Sequence, residues 1–298
     1  MSAAVEQARP GPRAARVLPF RVELVRQLSQ WRVRIALLVL ALLPVVVRVA
    51  LLFSGGAGGG GQGGSDPDGT AASTSSVDFT ALAQASGGSF AAFVLVLSGG
   101  FLVTLVAALL FGDLIAGEAS RSTLKYLLTV PVPRLRLLGV KVAVASTILL
   151  AGLLALSAVA LLVGVVSYGA GGLQVPGGPR LGLGETVLRI ALTTAAIASG
   201  VLWAAALGTL LTVVTDSPLA AAGGVVLASI LSRILDAIPD LGDLRVVLPT
   251  HYSTSYREFL AAPVDLAPVA DGLLNGLLWA LVLGTLAAVL FSRKDVSG

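Results

Sequence analysis

The residues of this 298-residue chain that could do chemistry lie in a polar interruption between two very apolar runs. It covers residues 111–141, FGDLIAGEASRSTLKYLLTVPVPRLRLLGVK, and holds Glu118 together with five basic residues. Hydroxyl side chains follow Glu118 and can cap a helix by accepting hydrogen bonds from its first backbone N–H groups. Leu124, Leu127 and Leu128 then recur at helical spacing, and two prolines end the pattern. The segment is therefore predicted to contain a short amphipathic helix with a basic rim.

The composition is that of an integral membrane protein. Hydrophobic residues make up 56% of the chain and charged residues 12%, with a mean hydropathy of +0.93; a soluble domain carries about twice that charged fraction. There is no cysteine, which excludes disulfides and thiolate metal sites, and the single histidine, His251, excludes a multi-histidine metal centre. The net charge of +4 comes from basic residues beside apolar runs, so no nucleic-acid partner is expected.

Six apolar runs are long enough to cross a bilayer as helices. The predicted spans are residues 35–53, 90–111, 142–168, 190–214, 219–235 and 273–291.

The chain before the first span divides into two parts. Residues 1–18 are rich in Ala, Pro and Arg without apolar periodicity and are predicted to be a disordered cytoplasmic tail. Apolar residues then recur every three or four positions, which predicts a helix lying in the headgroup plane with this face in the lipid. The residues of that face are Phe20, Leu24, Leu28 and Trp31.

The connections between spans indicate the orientation. Residues 54–89 contain a glycine run and no Lys or Arg, as expected of a flexible external loop. Residues 236–268 contain short apolar pieces broken by prolines, which favours external re-entrant or interfacial helices. Fourteen of the 20 basic residues lie in the N-terminal part, in residues 111–141 or at the C terminus. Because basic residues are retained on the cytoplasmic side, both termini are predicted to be cytoplasmic.

Enzymatic chemistry has little support. No G-x-x-x-x-G-K-[ST] motif is present, so nucleotide hydrolysis must belong to another polypeptide. The spans hold almost no acids, which argues against a proton-coupled pump. An intramembrane hydrolase stays an alternative, and it would depend on His251, since Asp113 and Asp216 lie at span ends.

Paired glycines on the second and fifth predicted spans allow helices to approach closely. Two interpretations are open: ordinary packing within one bundle, or a dimer seam that lines a pathway. The residues of the possible seam are Gly99, Gly100, Gly223 and Gly224.

These features together resemble the permease subunit of type-2 ABC exporters, the ABC-2 family. Residues 117–141 carry the pattern GE-x-x-x-x-T-L-x-x-L-L-T-x-P-V-x-R-x-x-x-L-x-x-K, and a broken external segment containing His251 and Tyr252 precedes the last span. The resemblance covers the chain from Phe20 onward. It implies an all-α membrane fold with an N-terminal interface helix followed by six transmembrane helices, in a permease domain of residues 19–298.

The resemblance also implies partners and a mechanism. Two permease chains, identical or different, would dimerise in the plasma membrane. Each would contact a separate P-loop ABC ATPase that binds ATP and Mg, while this chain binds no cofactor. The pair would move an amphipathic drug, peptide or lipid outward; a non-transporting membrane scaffold or assembly subunit is the alternative.

In that family the loop between the second and third spans is the coupling helix that docks on the ATPase. Carried over to residues 112–141, Glu118 would be the polar anchor, and the interface helix would also touch the ATPase. The residues expected to make or support the docking surface are Arg121, Thr123, Leu124, Lys125, Tyr126 and Leu128.

Overall fold

The computed structural model describes residues 20–57, 81–119, 134–175, 178–215 and 217–293. Regular structure in these ranges is helical apart from an isolated β-bridge between Gln174 and Arg180, as the all-α prediction requires. The α-helices that build the bundle are α1 (Phe20–Ser29), α2 (Trp31–Ala57), α3 (Gly87–Gly99), α4 (Phe101–Gly112), α5 (Ala116–Ala119), α6 (Arg134–Tyr168), α7 (Leu183–Gly200), α8 (Leu202–Val214), α9 (Pro218–Asp236) and α10 (Ala267–Arg293). Two 3-10 helices, Pro239–Val247 and Ser255–Leu260, lie between α9 and α10.

Length and composition agree with the six predicted crossings. Five segments within the described residues are long and apolar enough to cross a membrane: parts of α2 and α6, the whole of α9 and of α10, and α7 with α8 together. The sixth is α3 with α4, which meet at an angle of 54° at Gly100 and count as one broken span. The spans alternate in direction, so one end of the bundle carries α1, α5 and the start of α6. We refer to it as the α1 end.

Two connections differ from the sequence-based boundaries. Helix α2 continues to Ala57 and α3 begins at Gly87, so helix occupies both ends of the predicted 54–89 loop. Helix α6 begins at Arg134, eight residues before the predicted third span, and its 35 residues correspond to about 52 Å. That length exceeds a hydrocarbon core of about 30 Å, so the first turns of α6 extend beyond it and contact α1.

The core of the bundle lies between α2, α3, α4, α6 and α7. Its largest fully buried side chains include Leu40, Phe90, Phe111 and Leu153. The outward faces of α2 and α10 are lined instead by exposed leucines and valines, as helices in contact with lipid require.

The segment between α9 and α10 runs beside α10 and is hydrogen-bonded to it. The Asn275 side-chain amide donates hydrogen bonds to the carbonyls of Val246 and Leu248, at 2.9 and 3.1 Å, and the Trp279 indole donates to Val247 at 2.9 Å. Asn275 and Trp279 lie roughly 12 and 18 Å beyond the first residue of α10, at 1.5 Å per residue. The backbone between the two helices, which we call the re-entrant segment, therefore folds back along the surface of α10, and its first 3-10 helix has no buried residue.

Candidate functional site

A buried charge cluster lies at the α1 end, where α1, α5 and α6 meet. The Lys141 ammonium donates to Glu118 at 2.6 Å and to Glu23 at 3.2 Å. The Arg26 guanidinium also bridges the two carboxylates, donating to Glu23 at 2.9 Å and to Glu118. We call these four residues the charge cluster: two acids and two bases that come from three separate elements.

Three of the four side chains in the charge cluster are buried. Lys141 is 2% exposed, Glu23 2% and Glu118 7%, and only Arg26 reaches solvent substantially. Removing charges from water costs several kcal/mol per ion unless they are paired and hydrogen-bonded. With two positive and two negative groups the cluster is neutral, so each buried charge has an opposite charge in direct contact.

The electrostatics of α1 reflect this pairing. Burial by itself would raise the pKa of Glu23, but the Lys141 ammonium, a hydrogen bond from Gln27 and the Arg26 guanidinium outweigh it and hold that pKa below its ordinary value. Burial would lower the pKa of Arg26, and contact with Glu118 and Glu23 raises it instead. Both groups are therefore charged at neutral pH.

Helical spacing on α1 brings the polar residues to one face. Glu23, Arg26 and Gln27 are three and four residues apart, and Gln27 donates to Glu23 at 3.1 Å. This polar face packs onto the protein, whereas Phe20 and Leu28 on the apolar face are 40% and 37% exposed.

Of the four residues predicted to face the lipid, three are exposed and one is not. Trp31, which begins α2, is 73% exposed, but Leu24 packs against the protein core. The apolar pattern did predict an interfacial helix with an outward apolar face. It did not predict that the polar face would be covered by Lys141 and Glu118.

The turn that leads to Glu118 is fixed from the other side by α8. The Thr212 hydroxyl oxygen accepts hydrogen bonds from the backbone N–H groups of Ile115 and Ala116, at 3.1 and 2.9 Å. Asp113, at the end of α4, pairs with Arg32 at 3.1 Å. Glu118 is consequently held between α1, α6 and α8.

A family model described as "ABC-2 family transporter protein" matches residues 69–222, just over half of the chain. The chain belongs to the ABC-2 transporter family. No curated protein matches the sequence significantly. The matched region contains Glu118 and Lys141, so two members of the charge cluster lie within the family domain of this multi-pass ABC permease.

The rest of the predicted coupling segment lies outside the described residues, and its docking role stays a prediction. It comprises Arg121, Thr123, Leu124, Lys125, Tyr126 and Leu128. Glu118 lies in α5 just before this segment, and Lys141 lies two turns into α6 just after it. In the permease the two ends of the segment are therefore joined by the ion pair between these residues. Sequence reasoning counted Lys141 only as a basic flank, although it is the last residue of the family pattern.

The four glycines of the possible seam differ in their surroundings. A Cβ on Gly99 would lie 2.9 Å from Ile197 and from Tyr256, and one on Gly224 would lie 2.7 Å from Leu211, so both allow close packing within the permease chain. Gly223 is exposed with open space beside it, and the nearest atom to a Cβ on Gly100 is an Arg233 nitrogen at 3.7 Å. Intramolecular packing accounts for Gly99 and Gly224, and the seam stays a prediction.

His251, on which the hydrolase alternative depends, closes the re-entrant segment. Its Nδ1 lies 2.6 Å from an Asp236 carboxylate oxygen, and Arg245 contacts the same oxygen at 3.5 Å. The imidazole ring packs edge-on against the Tyr252 ring, with 4.8 Å between the ring centroids. Within the described part of the chain no serine hydroxyl is hydrogen-bonded to His251, so this pair ties the segment to the end of α9 rather than activating a nucleophile.

Proposed function

We propose that this permease works in an ATP-driven exporter whose nucleotide-hydrolysing subunit is a separate chain that binds ATP and Mg. The ATPase docks on α1 and on the coupling segment, and the charge cluster passes its movement to the spans. The observation that carries the proposal is that both ends of the coupling segment and the interface helix meet in one buried ion network.

The network suits force transmission because it is costly to break. Removing one partner of a buried ion pair costs about 3–5 kcal/mol, since it leaves the other charge unpaired. Displacement of α1 or of the coupling segment therefore moves α4 and α6 with it. Exposed pairs, worth roughly 0–1 kcal/mol, would separate under the same load.

The remaining parts of the proposal follow from charge and symmetry. The α1 end is cytoplasmic because basic residues concentrate there. Both termini then lie on the cytoplasmic side of the plasma membrane. Two permease chains dimerise, and ATP-driven closure of the ATPases moves both coupling segments and opens the route between the chains outward. The apolar walls favour an amphipathic cargo such as a drug, peptide or lipid.

Glu118→Gln tests the coupling role. The amide keeps the shape of the side chain and removes its charge from the network. In the complex reconstituted with its ATPase, we expect the ATPase to copurify with the variant at normal yield, but cargo-stimulated hydrolysis to fall about tenfold or more, within the usual range of coupling energies. The matched control is Glu185→Gln, which removes an exposed acid paired with Arg189 at the opposite end of the bundle.

Two results would contradict the proposal. Full stimulation in the Glu118→Gln complex would remove the charge cluster from the coupling route. Purification of the wild-type permease without any P-loop ATPase, from cells that express both, would refute the partnership itself.

A further inference from the structure

A second polar site lies inside the bundle, beside the break between α3 and α4. Gly100 at this break is 13 residues into a 26-residue span, roughly 20 Å from its start at 1.5 Å per residue. The Arg233 side chain enters the pocket from α9, and the Trp203 ring lines it from α8. The re-entrant segment supplies the remaining wall, which includes the hydroxyl residues Thr250, Tyr252, Ser253, Ser255 and Tyr256.

The Arg233 side chain makes no hydrogen bond or ion pair with any described residue. Its Nε atom is buried without a partner, and no acid lines the pocket. The acid nearest along α9, Asp236, is engaged by His251 and Arg245. An arginine within a membrane span is costly unless it is paired, and such residues mark ligand sites and pathways.

The pocket is suited to an anion. A guanidinium presents several N–H donors in a fixed plane that matches carboxylate and phosphate oxygens. The Tyr256 hydroxyl already donates to the Val96 carbonyl, and the Thr250 hydroxyl is hydrogen-bonded to Ser232. The hydroxyls of Tyr252, Ser253 and Ser255 can add donors. The N-terminal end of α4, which has no side-chain cap, adds partial positive charge. The pocket has room for about one water-sized group, so it would take one oxygen of a headgroup whose remainder stays outside.

We propose that Arg233 and the hydroxyls around it bind the phosphate headgroup of an anionic, lipid-like amphiphile. The inference rests on the proposed function, because it assigns an anionic headgroup to the amphipathic cargo. The acyl part of such a molecule lies in lipid, which accounts for a half-buried arginine beside the span break that has no counter-ion among the described residues.

The test uses Trp203, a pocket residue that is 3% exposed, as the reporter. In the full-length chain, Trp31→Phe and Trp279→Phe leave Trp203 as the sole tryptophan of the three. The protein is placed in phosphatidylcholine vesicles, and part of the lipid is replaced by dibrominated phosphatidylglycerol or, in parallel, by dibrominated phosphatidylcholine. Bromine quenches tryptophan fluorescence at short range.

We expect saturable quenching by the anionic lipid at a mole fraction about tenfold below that needed with the zwitterionic lipid. Arg233→Gln should remove this difference, and Arg233→Lys should retain part of it, which shows that loss of binding is not loss of folding. Gly100→Val should block the pocket without changing its charge. Arg180→Gln, which removes an exposed arginine that donates to the Ala85 carbonyl, is the matched control and should behave as wild type.

Equal quenching by the two lipids, or equal effects of Arg233→Gln and Arg180→Gln, would overturn the proposal. Relief of quenching by millimolar glycerol 3-phosphate would assign the pocket to a free anion instead of an amphiphile. The assay needs neither nucleotide nor ATPase. Its failure would therefore leave the Glu118 coupling experiment unaffected, and failure of coupling would leave this binding result standing.

Discussion

Replacing Lys141 with methionine removes the ammonium that lies between two buried carboxylates while keeping most of the side-chain volume. Glu23 and Glu118 both lie about 3 Å from the Lys141 nitrogen, so their oxygens are about 6 Å apart or less. Two unit negative charges at that distance repel by about 3 kcal/mol at an effective dielectric constant of 20. Arg26 stays in contact with both acids and offsets part of this repulsion.

Protonation sets an upper limit on the cost. Glu23 has an ordinary pKa of 4.5, so protonating it at pH 7 costs about 3.4 kcal/mol, at 1.36 kcal/mol per unit. The variant cannot lose much more than this, because one carboxyl would take up a proton instead. We therefore expect Lys141→Met to lower the free energy of unfolding by about 2–3 kcal/mol at pH 7.

Because the cost of protonating a carboxyl falls with pH, the destabilisation caused by Lys141→Met should also fall as the pH is lowered. At pH 5 protonation costs only about 0.7 kcal/mol, so the destabilisation should shrink to about 1 kcal/mol. In the wild type the pKa of Glu23 is lowered, so its contribution to stability is present above pH 4.5 and is lost only as the pH falls through the lower folded value. The convergence of the two proteins between pH 7 and 5 thus comes from the variant.

The measurement is reversible unfolding in detergent, followed by tryptophan fluorescence at pH 7 and pH 5. Arg293→Met removes a charge from an exposed position at the end of α10 and should cost less than about 0.5 kcal/mol. Adding Glu23→Gln to Lys141→Met should restore much of the lost stability. A Lys141→Met effect that matches Arg293→Met, or that is equal at the two pH values, would refute the reasoning.

Two further substitutions test how the spans around the cluster are held. Thr212→Val leaves two buried backbone N–H groups without their acceptor and should cost about 1–3 kcal/mol in the same unfolding assay, whereas Thr147→Val at an exposed helix position should be close to neutral. Gly112→Ala places a Cβ 2.9 Å from the Ala222 backbone nitrogen and should cost about 1–3 kcal/mol by forcing α4 and α9 apart. Gly223→Ala, with open space around it, should instead stabilise α9 by about 0.5–1 kcal/mol, and destabilisation by this control would count against the packing argument.

Hydropathy predicted most of the architecture because a bilayer leaves the chain few choices. Each backbone group inside the hydrocarbon must be hydrogen-bonded within its own segment, so a long apolar run is a helix. The same rule separates the re-entrant segment, whose proline-broken pieces are too short to cross. Glu118 and the polar interruption were found for a related reason, since a stretch of charged residues between two apolar runs is easily recognised in the sequence.

What the sequence by itself determined, then, is the number of crossings, the helical class, the family resemblance and the acid at the start of the coupling segment, all of which depend on local composition and spacing. Only the tertiary structure showed that Glu23 and Lys141, 118 residues apart, share a hydrogen bond, and that Arg233 meets the break at Gly100. A basic residue beside an apolar run has the same sequence pattern whether it anchors the chain to lipid headgroups or pairs with an acid inside the protein. The difference is decided by which helices pack together, because packing alone excludes the water that would otherwise solvate the charge.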